Sequence, residues 1–145
     1  MRVEVWVDGS CRGNPGPGGY AALLIYGKHR KEVVGGEPAT TNQRMELRAA
    51  IADLKDVKAD FRREVTVYTD SQYLHRTMTE QRKKPPKANA DLIAQLDEVA
   101  ALHDVQWEKV LAHSGISHNE QVDRLSARES AKMALQALRG QREEG

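Results

Sequence analysis

The chain has 145 residues, enough for one domain with a full core. At 39% hydrophobic and 30% charged residues, with a formal net charge of +1, its composition excludes a disordered polyelectrolyte. It has no apolar run near the ~20 residues of a membrane helix, and its single cysteine, Cys11, excludes an internal disulfide. A cytoplasmic protein without a signal peptide is the expectation, because the N-terminus enters a strand pattern directly.

In chain order, residues 2–8 alternate Val3, Val5 and Val7 on one face and predict a strand ending at Asp8. Residues 11–19 carry five of the Gly and Pro punctuators in succession and predict a loop. Tyr20 to Tyr26 predicts a second strand. Gly27-Lys28-His29 predicts a turn, and Glu32-Val33-Val34 a third strand ending at Gly35-Gly36. Thr40 to Asn42 can start a helix, since their side-chain oxygens accept first-turn N–H groups. Leu47, Ala50, Ile51, Leu54 and Val57 then give that helix a buried stripe.

Glu64 to Tyr68 is a short β-branched strand followed by Thr69-Asp70. Ser71 can cap a helix reaching about Arg82, which Pro85-Pro86 closes. Asn89 or Asp91 begins another helix, striped by Leu92, Leu96, Val99 and Leu102. Val105 to Val110 predicts the last strand, and residues 112–119 a polar loop. A long helix follows from about Glu120 to Arg139, with Asp123, Ala127, Ala131, Ala134 and Leu138 as its expected inward stripe. Residues 1–140 are expected to form one catalytic domain, and 141–145 a disordered tail.

The order β-β-β-α-β-α-α-β-α implies an α/β fold. Short connections make the first three strands antiparallel, and helical crossovers make the later strands parallel to the first. Ligands in such sheets sit beyond the carboxyl ends of the parallel strands. Asp8 and Asp70 fall there, while Glu46 and Asp123 stand on helices beside buried faces. Each acid alone has an ordinary explanation as a turn former, a cap or a first-turn helix acid. Four acids converging on one place would repel, and a divalent cation resolves that. Oxygen ligands without sulfur suit Mg²⁺ or Mn²⁺.

Four stretches carry a resemblance. Asp8-Gly9-Ser10-Cys11-Arg12-Gly13-Asn14-Pro15-Gly16-Pro17-Gly18-Gly19-Tyr20, Thr41-Asn42-Gln43-Arg44-Met45-Glu46-Leu47, Thr69-Asp70-Ser71-Gln72-Tyr73, and His113 with Asn119-Glu120 and Asp123 resemble the motifs of type 1 ribonuclease H, in order along nearly the whole chain. The resemblance implies a ribonuclease H-like fold with a mixed five-stranded sheet. It implies an endonuclease that cuts the RNA strand of RNA–DNA hybrids, leaving 5′-phosphate and 3′-hydroxyl ends.

The resemblance further implies two Mg²⁺ ions, with Mn²⁺ able to substitute, held by Asp8, Glu46, Asp70 and Asp123. Asp8 would bridge both ions, Asp123 would join it at the attacking water, and Glu46 and Asp70 would serve the leaving oxygen. His113 resembles the family histidine that assists proton movement or product release. Asn14, Asn42, Gln43 and Gln72 match positions that read the minor groove and the 2′-hydroxyl. Thr41 and Asn89 match positions that grip a DNA-strand phosphate.

Two departures stand out. The segment 79–87 is too short for the basic protrusion of many bacterial relatives, so weaker hybrid affinity is expected, partly offset by Arg82, Lys83, Lys84 and Lys87. Ala39 stands where some relatives have an arginine in the phosphate pocket. A monomer with no obligate protein partner and no membrane association is expected.

Overall fold

The computed structural model describes residues 2–112 and 114–144, with side chains described as far as residue 141. Its elements are β1 (Val3–Cys11), β2 (Gly16–Tyr26), β3 (His29–Thr40), α1 (Asn42–Asp56), β4 (Glu64–Thr69), α2 (Gln72–Thr79), α3 (Ala90–Ala100), β5 (Asp104–Lys109) and α4 (Ser117–Glu144). They form one five-stranded sheet in the order β3-β2-β1-β4-β5. The β1–β2 and β2–β3 pairs are antiparallel, while β4 runs parallel to β1 and to β5. Element order and strand directions follow the expected α/β pattern.

The two sheet faces take alternate residues of each strand. Val3, Val5 and Val7 of β1 join Val65, Val67 and the α1 stripe in the larger core. Leu47, Ala50, Ile51, Leu54 and Val57 are all buried there, as their spacing predicts. Trp6 points the other way and packs with Ala21, Leu23, Ile25 and Val122 under α4. Its ring stacks on Tyr68, its neighbour in register on β4, at 4.1 Å between centroids.

Several boundaries differ from expectation. β1 continues through Cys11, so Asp8 lies within the strand, and β2 begins at Gly16. Backbone pairing from Asp8↔Ala21 to Cys11↔Gly18 outweighs the turn propensity of that glycine-rich stretch. β3 likewise runs past Gly35-Gly36 to Thr40, held by its ladder to β2. α2 stops at Thr79, short of Arg82. α3 ends at Ala100, and Leu102 beyond it is 52% exposed.

The inward face of α4 differs most. Val122, Ser126, Glu129 and Ser130 are buried, whereas Ala127 is exposed and Leu138 is 56% exposed. At about 100° per residue the expected stripe centres roughly 115° round the helix from Val122, Ser126, Glu129 and Ser130, so most of it turns off the sheet. The true face needs small residues. A Cβ on Gly19 would lie 2.4 Å from the Ser130 nitrogen, so the helix rests directly on the β2 backbone. The α4 backbone is helical through Glu144, and Gly145 lies outside the described residues. Among the described residues no helix is long and apolar enough to cross a membrane.

Candidate active site

β1 and β4 are parallel neighbours with Val7 opposite Thr69, so Asp8 and Asp70, the next residue of each segment, stand side by side at one end of the sheet. Asp8 is 6% exposed on the face that α4 covers. Its Oδ1 accepts from the Gly9 N–H at 2.9 Å, and the Ser126 hydroxyl lies 3.4 Å from its Oδ2. The Asp123 carboxyl, on α4, acts on the Asp8 carboxyl and raises its proton affinity. Burial first, then the Asp70 charge, then Asp123 push the Asp8 carboxyl well above the usual carboxylate range.

Glu46 arrives from the opposite face of the sheet. Its backbone rests on Gly9, where a Cβ would lie 2.6 Å from the Glu46 nitrogen. Gly9 therefore allows α1 to approach the strand next to Asp8. The Glu46 carboxyl is pushed up to about 7, mainly by burial, with Asp70 adding to the rise and a hydrogen bond from Ser71 opposing it. Ser71 Oγ donates to Glu46 Oε2 at 2.5 Å and accepts from the Leu74 N–H at 3.0 Å. One hydroxyl thus caps α2 and holds the Glu46 carboxylate. Ser71 is legible as a cap from sequence; its hold on Glu46, between residues 25 apart, is not.

The charges acting on Asp8 are those of Asp70 and Asp123, and the charge acting on Glu46 is that of Asp70. Among the described residues, no three His, Cys, Asp or Glu side chains converge as a ready-formed metal cage. The donor set nevertheless fits a hard divalent cation. It is all oxygen, the carboxylates act on one another as like charges, and two of them hold raised affinities for a proton that a cation would replace.

The other expected residues fall around this end of the sheet and α1. Asn14 is exposed in the β1–β2 turn. Thr41, not Asn42, caps α1: its Oγ1 accepts from the Arg44 N–H at 3.2 Å, and Asn42 is the first helical residue, exposed beside Gln43. Gln72 is exposed at the first position of α2.

Asn89 stands at the head of α3 with φ 58°, in the left-handed region that asparagine tolerates better than most residues. It makes no side-chain cap. Its Nδ2 donates instead to the Tyr73 hydroxyl at 3.0 Å. Arg82 is engaged with Asp97 in a two-pronged pair at 2.7 and 2.9 Å, while Lys83, Lys84 and Lys87 are exposed. His113 lies outside the described residues.

The family model for RNase H matches residues 1–131. The chain belongs to the ribonuclease H family. A curated Ribonuclease H of Halorhodospira halophila is 47% identical over 135 residues, covering 86% of this chain and 89% of that protein. The N-terminal RNase H domain of a Mycobacterium tuberculosis protein superposes with a TM-score of 0.82 at 27% identity, covering 94% of this chain and 98% of that domain. LC11-RNase H1, solved in complex with an RNA/DNA hybrid, shares the fold at a TM-score of 0.76 and 22% identity, over 90% of this chain and 97% of that one. The fold is therefore ribonuclease H-like.

Proposed function

We propose that this chain is an endonuclease that hydrolyses the RNA strand of RNA–DNA hybrids by a two-metal-ion mechanism, leaving 5′-phosphate and 3′-hydroxyl ends. The observation that carries this reading is the set of carboxylates on β1 and just after β4, where both Asp70 and Asp123 act on Asp8. Family membership and the hybrid bound to LC11-RNase H1 support the substrate class. Asp8, Glu46, Asp70 and Asp123 would hold two Mg²⁺ ions, with Mn²⁺ able to substitute. Bound there, the ions would supply an activated water and charge stabilisation at the leaving oxygen.

The chain's own residues do the rest. Ser71 fixes the Glu46 carboxylate by one oxygen, and the Gly9 N–H holds that of Asp8, with the Ser126 hydroxyl 3.4 Å away. Burial of Asp8 removes competing water and strengthens its interaction with any cation. His113, ten residues before Asp123 in sequence, would move a proton or assist product release. Asn14, Asn42, Gln43 and Gln72 would read the minor groove and the 2′-hydroxyl with neutral amides. Thr41 and Asn89 would donate to a phosphate of the DNA strand. We take the protein to act as a cytoplasmic monomer.

The test is cutting of a labelled RNA–DNA hybrid with Mg²⁺, beside single-stranded RNA, double-stranded RNA and double-stranded DNA. Internal cuts confined to the RNA of the hybrid are expected. Absence of cutting with both Mg²⁺ and Mn²⁺, or equal cutting of double-stranded RNA, would overturn the reading.

A further inference from the structure

The region between α1, α2 and α3 holds a connected polar chain. Arg44 makes a two-pronged bond to Asp91, with Nη1 at 3.1 Å from Oδ1 and Nη2 at 2.9 Å from Oδ2. The same Nη1 lies 3.5 Å from Asn89 Oδ1. Asn89 Nδ2 donates to the Tyr73 hydroxyl at 3.0 Å. The backbone N–H of Arg44 meanwhile bonds Thr41 Oγ1 at 3.2 Å. A single residue, Arg44, therefore touches both Thr41 and Asn89.

The chemistry of these groups dictates the sense of the Asn89 amide. A guanidinium only donates, so the amide atom facing Arg44 must be the oxygen. The nitrogen then faces Tyr73, gives one N–H to its hydroxyl, and keeps the second for an acceptor outside the protein. Thr41 Oγ1 likewise spends a lone pair on Arg44 and keeps its O–H. Were the amide to flip, Asn89 would present a carbonyl oxygen to an incoming anion. Asp91 takes up the Arg44 charge and fixes its plane, so Arg44 orients its neighbours without itself being the phosphate ligand.

We propose that Arg44 and Tyr73 are positioning residues that hold the Asn89 amide nitrogen outward, making Thr41 and Asn89 a donor-only seat for one phosphate of the DNA strand. This rests on the reading of Thr41 and Asn89 as DNA-phosphate contacts. It adds the reason their donors face the substrate. The left-handed backbone at Asn89 places the side chain, Arg44, which can only donate, sets the sense of its amide, and Tyr73 anchors the nitrogen.

The test uses the full chain with hybrids whose DNA strand carries one neutral methylphosphonate linkage, moved position by position. For the unaltered protein, neutralising one particular linkage should raise KM about fivefold, the scale of one charge-assisted hydrogen bond. Tyr73→Phe removes the 3.0 Å anchor and leaves the amide held only by the 3.5 Å contact with Arg44. It should raise KM for the unmodified hybrid about threefold, with the loss falling on KM more than on kcat, and the sensitive linkage should then cost little more. Arg44→Gln can accept as well as donate and should behave similarly, whereas Arg44→Lys, which only donates, should recover part of the loss.

Urea unfolding separates these effects from misfolding. If Arg44→Gln is destabilised, Tyr73→Phe alone decides. If Tyr73→Phe responds to the neutral linkage as strongly as the unaltered protein, the positioning role is wrong. If no linkage matters to the unaltered protein, the phosphate assignment of Thr41 and Asn89 fails, and the proposal with it. Hybrid cutting in that same control shows whether the nuclease reading still stands.

Discussion

Asp53 offers a stability prediction whose size follows from its surroundings. It lies in α1, is 0% exposed, and neither carboxyl oxygen has a hydrogen-bond partner among the described residues. The nearby Lys31 is committed to Asp56 at 3.0 Å. Burial, with the Asp56 charge adding and Lys31 opposing, pushes the Asp53 carboxyl from 3.8 up to about 8. A group whose folded value is raised gives stability that is fully present below its unfolded value and lost as pH rises through the folded one. The window here runs from about pH 4 to about pH 8.

By pH 7 roughly three units have been crossed, at about 1.4 kcal/mol each, so the buried acid costs on the order of 4 kcal/mol. Asp53→Ala removes that cost but leaves a small void worth about 1 kcal/mol. A net gain of about 3 kcal/mol at pH 7 follows, vanishing near pH 4. Urea unfolding of both proteins at pH 4, 5.5, 7 and 8, without metal, measures it. The raised carboxyls of Asp8 and Glu46 tilt both curves alike, so the difference isolates Asp53. A difference independent of pH, or a loss of stability at pH 7, would refute the reasoning.

Four further substitutions test the local arguments. Thr41→Ala should cost about 1 kcal/mol because it removes the α1 cap, while Asn42→Ala should weaken hybrid binding and leave the urea midpoint in place. Ser71→Ala should cost about 1 to 2 kcal/mol from the α2 cap and raise the Glu46 carboxyl further, seen as a higher Mg²⁺ requirement at pH 6 than at pH 8. Gly9→Ala should be severely destabilising, by about 3 kcal/mol or more, since its Cβ would meet backbone atoms of Glu46 and Met45 at 2.6 and 2.7 Å; soluble expression and a thermal melt report it.

Much of this molecule was legible because its strongest signals are periodic. The valine alternation of β1 and the α1 stripe fix both sides of the larger core. Asp70 was placeable because it follows a short β-branched strand directly. What escaped depends on partners distant in the chain. β1 extends past Asp8 because β2 pairs with it, and no local signal in a glycine-rich stretch announces a ladder. The α4 face is chosen by bare glycine backbone on β2, so beyond Val122 its buried residues are serines and Glu129 rather than leucines. Asn42 and Thr41 are equivalent as caps on composition; chain entry from β3 gives the role to Thr41. Asn89 reads as a cap, yet its side chain serves Tyr73.

The Asp8 and Glu46 carboxyls are expected to hold protons that a divalent cation displaces. Calorimetric titration with Mg²⁺ at pH 7, in two buffers of different ionisation enthalpy, measures both binding and proton release. The unaltered protein should bind Mg²⁺ and release protons, because burial keeps Asp8 protonated and leaves Glu46 about half protonated at pH 7 in its absence. Asp8→Asn should stay folded, bind Mg²⁺ far more weakly and release fewer protons. Binding without proton release, or identical titrations of the two proteins, would contradict the account.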